Sequence, residues 1–163
     1  IRHSAVNDII KRALASAEVP ARLEPPSLSR DDGKRPDGMS MVPWKEGRCL
    51  IWDFTCADTL AQSHLDRAVL RAATVADDAE QRKRQKYVSL SATYYFVPIC
   101  IETLGPMGEE AAAFFADVRQ RITTATGEPS LKTFLMQQLS FAVQQGNTAC
   151  RLGTVPVSAN LYI

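Results

Sequence analysis

The chain has 163 residues, of which 45% are hydrophobic, and a formal net charge of +1. This length supports one full hydrophobic core and is too short for two comfortable domains, so we predict a single domain over residues 1–163. The near-zero net charge argues against a polycation that coats nucleic acid, and any nucleic-acid contact must use local basic clusters.

The four cysteines lack the paired spacing that is typical of metal sites. Three of them lie in apolar segments, where a free cysteine behaves as a small core residue, and this favours a reduced, intracellular setting. The sequence contains no stretch of membrane-spanning length and no charged-then-apolar leader, so we expect no membrane association. Because the chain begins with Ile1 rather than Met, we expect it to be part of a longer polypeptide.

The first third of the chain predicts a helix, a short strand and a hairpin. Apolar residues at helical spacing in 4–18 predict an amphipathic helix, and 19–24 can form a short strand. The Pro, Ser, Asp and Gly content of 25–35 indicates an exposed loop. From 36 to 55 the pattern is strand, turn, strand, with "KEG" as the turn, which predicts a hairpin.

The remainder predicts helices around one further strand. Residues 58–87 are mixed in pattern, with the helix more secure in their second half, and 92–102 indicate a buried strand. Helices are predicted over 108–125 and 130–145, and their phased apolar positions are assigned to packing. These positions are Ala112, Phe115, Val118, Ile122, Leu131, Phe134, Leu135, Leu139 and Val143. The order of elements predicts an α/β fold in which helices flank a small mixed sheet.

Two aspartates of the hairpin form the candidate site. Asp37 begins one predicted strand and Asp53 lies near the end of the next, so pairing through the turn can bring them to the same end of the sheet. Asp53 lies inside the apolar run "LIWDF", where an ionised carboxylate is costly to bury. A shared Mg²⁺ or Mn²⁺ ion would offset that cost, since hard cations prefer oxygen ligands. The alternatives are a salt bridge for Asp53 and a turn-capping role for Asp37.

The segment "EQRKRQKY" supplies basic groups that could orient water or stabilise developing charge. Lys83 and Tyr87, four residues apart, are expected to share a helix face, with Lys86 beside them. A solvated helix face is the ordinary interpretation of such a cluster, and its place after the second aspartate favours a phosphate-contacting face. Glu24, at the end of the first predicted strand, is a third candidate acid.

Five motifs, taken in order, resemble the restriction-like endonuclease domain of site-specific non-LTR retrotransposons, which belongs to the PD-(D/E)xK nuclease superfamily. They are Arg-His at 2–3, Leu-Glu-Pro at 23–25, Arg-Pro-Asp at 35–37, Asp53, and Lys-x-x-Lys-Tyr at 83–87. The resemblance covers residues 2 to about 87. It implies a restriction-endonuclease-like core within residues 1–100, with residues 101–163 as extra C-terminal helices of the same domain.

The resemblance also implies a function and roles for single residues. The domain would nick target DNA to prime reverse transcription, in the nucleus, within a polyprotein that carries a reverse transcriptase. Asp37 and Asp53 would hold a catalytic Mg²⁺ or Mn²⁺ ion. The other active-site residues would be Glu24, Lys83, Lys86 and Tyr87. The basic residues that we expect to contact DNA are Arg35, Arg82 and Arg84.

Departures from the family pattern leave a second hypothesis open. The usual superfamily lysine lies two residues after the second acid, where this chain has Thr55, so the lysine role must move to Lys83 or Lys86. The chain could instead be a catalytically inactive nuclease-fold module for DNA docking or protein contact. His64 has no ligand-type neighbour in sequence and is interpreted as structural or exposed. A small-molecule enzyme is disfavoured because the sequence has neither a Gly-rich phosphate loop nor a nucleophile elbow.

Overall fold

A four-stranded mixed sheet with helices on both faces forms the fold, in a computed structural model that describes residues 2–28, 33–61 and 71–154. Short 3-10 helices lie at Pro26–Leu28 and Val88–Leu90. The main elements are α1 (Arg2–Ser16), β1 (Ala21–Leu23), β2 (Gly38–Lys45), β3 (Arg48–Ala57), α2 (Thr74–Lys86), β4 (Tyr95–Glu102), α3 (Glu109–Thr126) and α4 (Ser130–Thr154). This confirms the α/β class and the small mixed sheet; His64 lies outside the described residues.

The strands are ordered β1-β2-β3-β4, with β3 antiparallel to β2 and parallel to β4. The predicted hairpin is confirmed, because Lys45 pairs with Arg48 around a two-residue turn. Both turn residues have positive φ, +53° at Glu46 and +69° at Gly47, as a tight hairpin turn of matching twist requires. The parallel neighbour β4 makes β3 an interior strand, buried on both sides.

Side chains of β3 alternate between the two faces of the sheet. Trp52 and Phe54 pack into a main core that α1, α3 and α4 complete. Ile51 and Ala57 belong to two smaller apolar clusters on the opposite face, where α2 packs. Because residues two apart on a strand share a face, Asp53 lies on the α2 side, within reach of that helix.

The C-terminal helices are part of the main core rather than an appendage. Two of the predicted packing positions are wrong: Ala112 is exposed while Ala111 is buried, and Phe134 is 53% exposed. A single residue turns a helix by about 100°, so these side chains point away from the buried stripes. Within the described ranges, no helix is both long and apolar enough to cross a membrane.

Glu80 joins α2 to the start of α3. Its buried carboxylate accepts backbone hydrogen bonds from Glu110 at 2.9 Å and from Ala111 at 3.0 Å, in the first turn of α3. A Cβ atom at Gly108 would lie 2.2 Å from the Glu80 carboxyl carbon, so glycine is required there for the close approach. Burial raises the pKa of Glu80 to about 7, although these N–H donors oppose the shift.

This raised pKa predicts a pH dependence of stability. The folded protein binds the Glu80 proton more tightly than the unfolded chain, so its contribution to the unfolding free energy is lost as the pH rises from about 4.5 to about 7. Glu80→Gln removes the titration and keeps one acceptor oxygen. Relative to wild type, the variant should therefore gain roughly 1 to 3 kcal/mol over this interval, measured by urea unfolding at both ends. A difference that stays constant with pH would contradict this prediction.

Candidate functional site

The hairpin brings Asp37, just before the start of β2, beside Asp53 in the middle of β3. The Asp37 N–H donates to the Trp52 carbonyl at 2.9 Å, and its Oδ2 accepts the Phe54 N–H at 2.6 Å. These two hydrogen bonds flank Asp53 on β3. The first aspartate is therefore fixed beside the second by backbone contacts.

The Asp37 carboxyl is in an environment that disfavours its charge. Its pKa is raised above the ordinary value of 3.8, mainly by burial, and the nearby Asp53 carboxylate adds to this rise. Opposing effects come from the Phe54 N–H, from His3 and from Asn7. The His3 Nε2 atom lies 3.1 Å from Asp37 Oδ2. Positive charge placed near this carboxylate pair would relieve both the desolvation and the repulsion.

Asp53 is paired with Lys83. The Asp53 side chain is only 7% exposed, and its Oδ2 accepts a hydrogen bond from the Lys83 ammonium, which α2 brings over this face of the sheet. This is the salt bridge that the sequence left open as an alternative. The ion pair offsets part of the cost of burying Asp53, because an unpaired charge there would be strongly destabilising.

His3 and Lys83, the partners of the two aspartates, line an open cleft of about 670 Å³. Thr55 lines the same cleft, so this residue of β3 and Lys83 of α2 share one space. The described lining includes neither aspartate. One wall comes from the C-terminal helix α4, through Gly146, Ala149 and Cys150.

Arg2 is held against this α4 wall. Its guanidinium donates to Asn147 Oδ1 at 2.6 Å, and the Asn147 amide in turn donates to the Thr103 carbonyl at 2.6 Å. A Cβ atom at Gly146 would lie 2.5 Å from the Arg2 Cβ atom, so the absence of a side chain there lets the arginine lie close to the helix. Sequence reasoning missed Asn147 and Gly146, because only folding brings residues so distant in sequence next to Arg2.

Tyr87 lies one turn beyond Lys83, and its N–H donates to the Lys83 carbonyl at 3.0 Å. Both side chains meet the same face of β3, Lys83 at Asp53 and Tyr87 at Ile51. Helix α2 ends at Lys86, and Tyr87 has left helical geometry, with φ −104° and ψ 17°. Its ring is fully buried in the cluster with Ile51, and the Lys86 ammonium lies 4.8 Å from its centroid. The described lining of the cleft includes neither Lys86 nor Tyr87.

The segment that leads to Asp37 is held by other residues of the candidate set. The Tyr87 hydroxyl donates to the Arg35 carbonyl at 3.3 Å. The Arg35 guanidinium pairs with Glu24 at 2.6 Å, and the Glu24 N–H donates to the Asp37 carbonyl at 2.7 Å. Glu24, Arg35 and Tyr87 therefore fix the approach to Asp37, and the Glu24 carboxylate itself lies on the exposed surface.

The two remaining residues predicted to contact DNA, Arg84 and Arg82, differ in their surroundings. Arg84 Nε donates to Glu110 Oε1 at 2.8 Å, and the hydrogen bond to this carboxylate raises the pKa of Arg84. Arg84 is thus committed to an ion pair with α3. Arg82 is exposed on α2.

The donor set for a metal ion is small. Among residues 2–28, 33–61 and 71–154, no group of three or more His, Cys, Asp and Glu side chains is arranged to hold a metal ion. Asp37 and Asp53 offer two carboxylates. Two carboxylates fit Mg²⁺, which keeps several waters and commonly binds through one or two carboxylates plus substrate phosphate.

Comparisons with known proteins do not assign this site to a family. No protein-family model matches the chain, and no curated protein matches it either. A functional assignment must therefore come from the chemistry of the aspartate pair and the cleft.

Proposed function

We propose that this chain is a metal-dependent DNA endonuclease domain that nicks target DNA, within a retrotransposon-derived polyprotein. The observation that carries the proposal is the convergence of Asp37, Asp53 and Lys83 beside an open cleft. The resemblance to the retrotransposon endonuclease domain gives these same residues to the active site. In this role the partners are DNA and a reverse transcriptase, and the action is nuclear.

The aspartate pair is the proposed site for Mg²⁺ or Mn²⁺. Two close carboxylates, one with its pKa raised by burial and by the other's charge, favour a shared cation. Such an ion, when bound, polarises the scissile phosphate and lowers the pKa of an attacking water. Asp37 and Asp53 would hold it beside β3, and the open cleft next to them would admit the phosphodiester.

Lys83 is the proposed electrostatic partner. Its ammonium contacts Asp53, and the residue also lines the cleft, so Lys83 links the buried carboxylate to the space where a phosphate would bind. A fixed positive charge in this place stabilises the negative charge that develops on phosphate oxygens during hydrolysis. Arg2 adds a second cation to the cleft wall.

A supercoiled-plasmid assay tests the proposal. Purified protein should convert supercoiled plasmid to nicked circles in Mg²⁺ or Mn²⁺, and EDTA should stop the reaction. The metal dependence is expected because the two carboxylates supply no positive charge of their own. Failure to nick in either metal, by a folded protein that retains DNA, would overturn the endonuclease proposal.

One observation favours the alternative, an inactive nuclease-fold module that docks on DNA or on a protein. Lys83 already neutralises Asp53 without a metal ion. Such a module would bind DNA without hydrolysis and without regard to divalent metal. Its affinity would fall with salt by about 0.9 log units per log unit of salt for each phosphate contact. Retention on DNA in EDTA, with no nicking in metal, identifies this case.

A further inference from the structure

Asn7 is buried between α1 and β3 and contacts three residues at the candidate site. Only 4% of the Asn7 surface is exposed to solvent. The indole Nε1 of Trp52 donates to Asn7 Oδ1 at 2.9 Å, and Asn7 Nδ2 lies 3.3 Å from His3 Nδ1. A side-chain hydrogen bond also links Asn7 to Asp37 and lowers the pKa of that carboxyl.

The donors in this network fix its polarity. An indole N–H can only donate, so the amide atom that faces Trp52 must be the oxygen. The other amide atom is then an NH₂ group, which also can only donate, so the His3 Nδ1 atom that it meets must be the unprotonated nitrogen. In the neutral imidazole the proton therefore lies on Nε2, which faces the carboxylate Oδ2 of Asp37 at 3.1 Å.

From this chain of hydrogen bonds we infer that Asn7 is a positioning residue for the nuclease site: it orients Asp37 through the Nε2–H tautomer of His3. The indole of Trp52 holds the amide, the amide holds the imidazole, and the imidazole holds the carboxylate. The first proposed metal ligand is thus fixed by partners on α1 as well as by the Phe54 N–H. The effect on metal binding and cleavage depends on the proposed function, whereas the tautomer of His3 does not.

Residues that hydrogen-bond to a metal ligand, without touching the metal themselves, have measurable effects on the site. Hydrogen-bonding groups that orient a metal-ligating carboxylate or imidazole typically change metal affinity or activity by about 10- to 100-fold when they are removed. Nothing in the order of residues 2–10 marks Asn7 as more than a polar position on an amphipathic helix. Its place opposite Trp52 follows only from the packing of α1 on β3.

Nitrogen-15 NMR of the wild-type chain tests the tautomer. At alkaline pH the His3 ring should show a protonated Nε2 and an unprotonated Nδ1. An Nδ1–H tautomer, or rapid averaging between the two forms, would overturn the inference. This measurement needs neither metal nor DNA, so it stands even if every Asn7 variant fails to fold.

Asn7→Leu tests the positioning role, because leucine keeps the approximate volume and removes both the carbonyl oxygen and the NH₂ group of the amide. Mn²⁺ binding, followed by electron paramagnetic resonance without DNA, should weaken by about 10- to 100-fold in this variant. The control is Ser40→Ala, which removes another buried polar group: the Ser40 hydroxyl donates to the Val42 carbonyl at 2.6 Å and accepts the Leu50 N–H at 2.8 Å. Equal Mn²⁺ affinity in wild type and Asn7→Leu would contradict the role.

The two proposals fail in different ways. If wild type neither binds Mn²⁺ nor nicks DNA, the endonuclease proposal fails and so does the positioning role, while the His3 tautomer still reports the hydrogen-bond chain. If wild type nicks DNA and Asn7→Leu matches it in Mn²⁺ affinity and rate, only the positioning role fails. A double-mutant cycle with His3→Ala should show non-additive losses, since part of the Asn7 effect passes through His3.

Discussion

Asp53→Asn is expected to lower metal-dependent nicking by a factor of about 10³ or more, with the domain still folded. The amide keeps the shape of the carboxylate and removes its charge, so the proposed ion loses one of its two protein ligands. A bound metal ion supplies several kcal/mol of charge stabilisation in the transition state, and each 1.4 kcal/mol corresponds to about tenfold in rate. Asp37→Asn should behave in the same way.

Stability must be measured beside the rate, because Asp53 is also half of a largely buried ion pair. In Asp53→Asn the amide oxygen can still accept from the Lys83 ammonium, which is 25% exposed and can reach solvent. We therefore expect a loss of unfolding free energy well below the 3–5 kcal/mol that is typical when a fully buried charge loses its partner. Thermal unfolding of the variant and of wild type, at the pH of the nicking assay, separates this loss from the loss of rate.

Asp117→Asn is the matched control. Asp117 on α3 pairs with Lys45 of β2, and both line a pocket separate from the cleft. This substitution removes an Asp–Lys pair of the same chemistry without touching the proposed metal site. Nicking by Asp117→Asn should equal that of wild type. Wild-type rates in Asp53→Asn, with its fold intact, would show that Asp53 is only a structural ion-pair partner.

The hairpin could be predicted because it depends on local chemistry, whereas the register that pairs the two aspartates depends on irregularities in β2. The "KEG" turn and the apolar run of β3 are short-range signals, and they predict the hairpin itself. Regular pairing from the Lys45–Arg48 turn would place Ser40 opposite Asp53, and the register shifts between Met39 and Lys45 bring Asp37 beside Asp53 instead. Helix phase is less secure, since an error of one residue rotates a side chain by about 100°, as at Ala112 and Phe134.

The surroundings of the site could not be predicted, because they come from packing between distant segments. Sequence spacing placed Tyr87 one turn from Lys83, but it gave no sign that the Tyr87 ring would be buried against Ile51 while Lys83 lines the cleft. The Asn7 amide meets Trp52 across 45 residues of sequence, and Arg2 meets Asn147 across 145. No pattern within a window of one helix or one strand carries such contacts.

Lys83→Ala is expected to lower nicking by a factor of about 10² to 10³, the effect of removing one preorganised charge-stabilising group. The measurement is the rate of metal-dependent nicking at saturating Mg²⁺, so that any change in metal affinity is separated from the change in rate. The control is Lys45→Ala, which removes the lysine of the other Asp–Lys pair. Unchanged nicking by a folded Lys83→Ala protein would contradict a catalytic role for this lysine.

Thr55→Lys in the Lys83→Ala background is the sharper experiment. Thr55 lies two residues after Asp53, so both side chains leave β3 on the same face, and Thr55 already lines the cleft with Lys83. A lysine there could return an ammonium to the space that Lys83 vacates. We therefore expect the double variant to recover at least tenfold of the lost rate, while Thr55→Lys beside an intact Lys83 gains little, because a second like charge raises repulsion. Recovery would show that the site needs one positive charge in this space and accepts it from either strand or helix. A loss in Lys83→Ala that Thr55→Lys leaves unchanged would instead tie the rate to the Lys83–Asp53 pair itself.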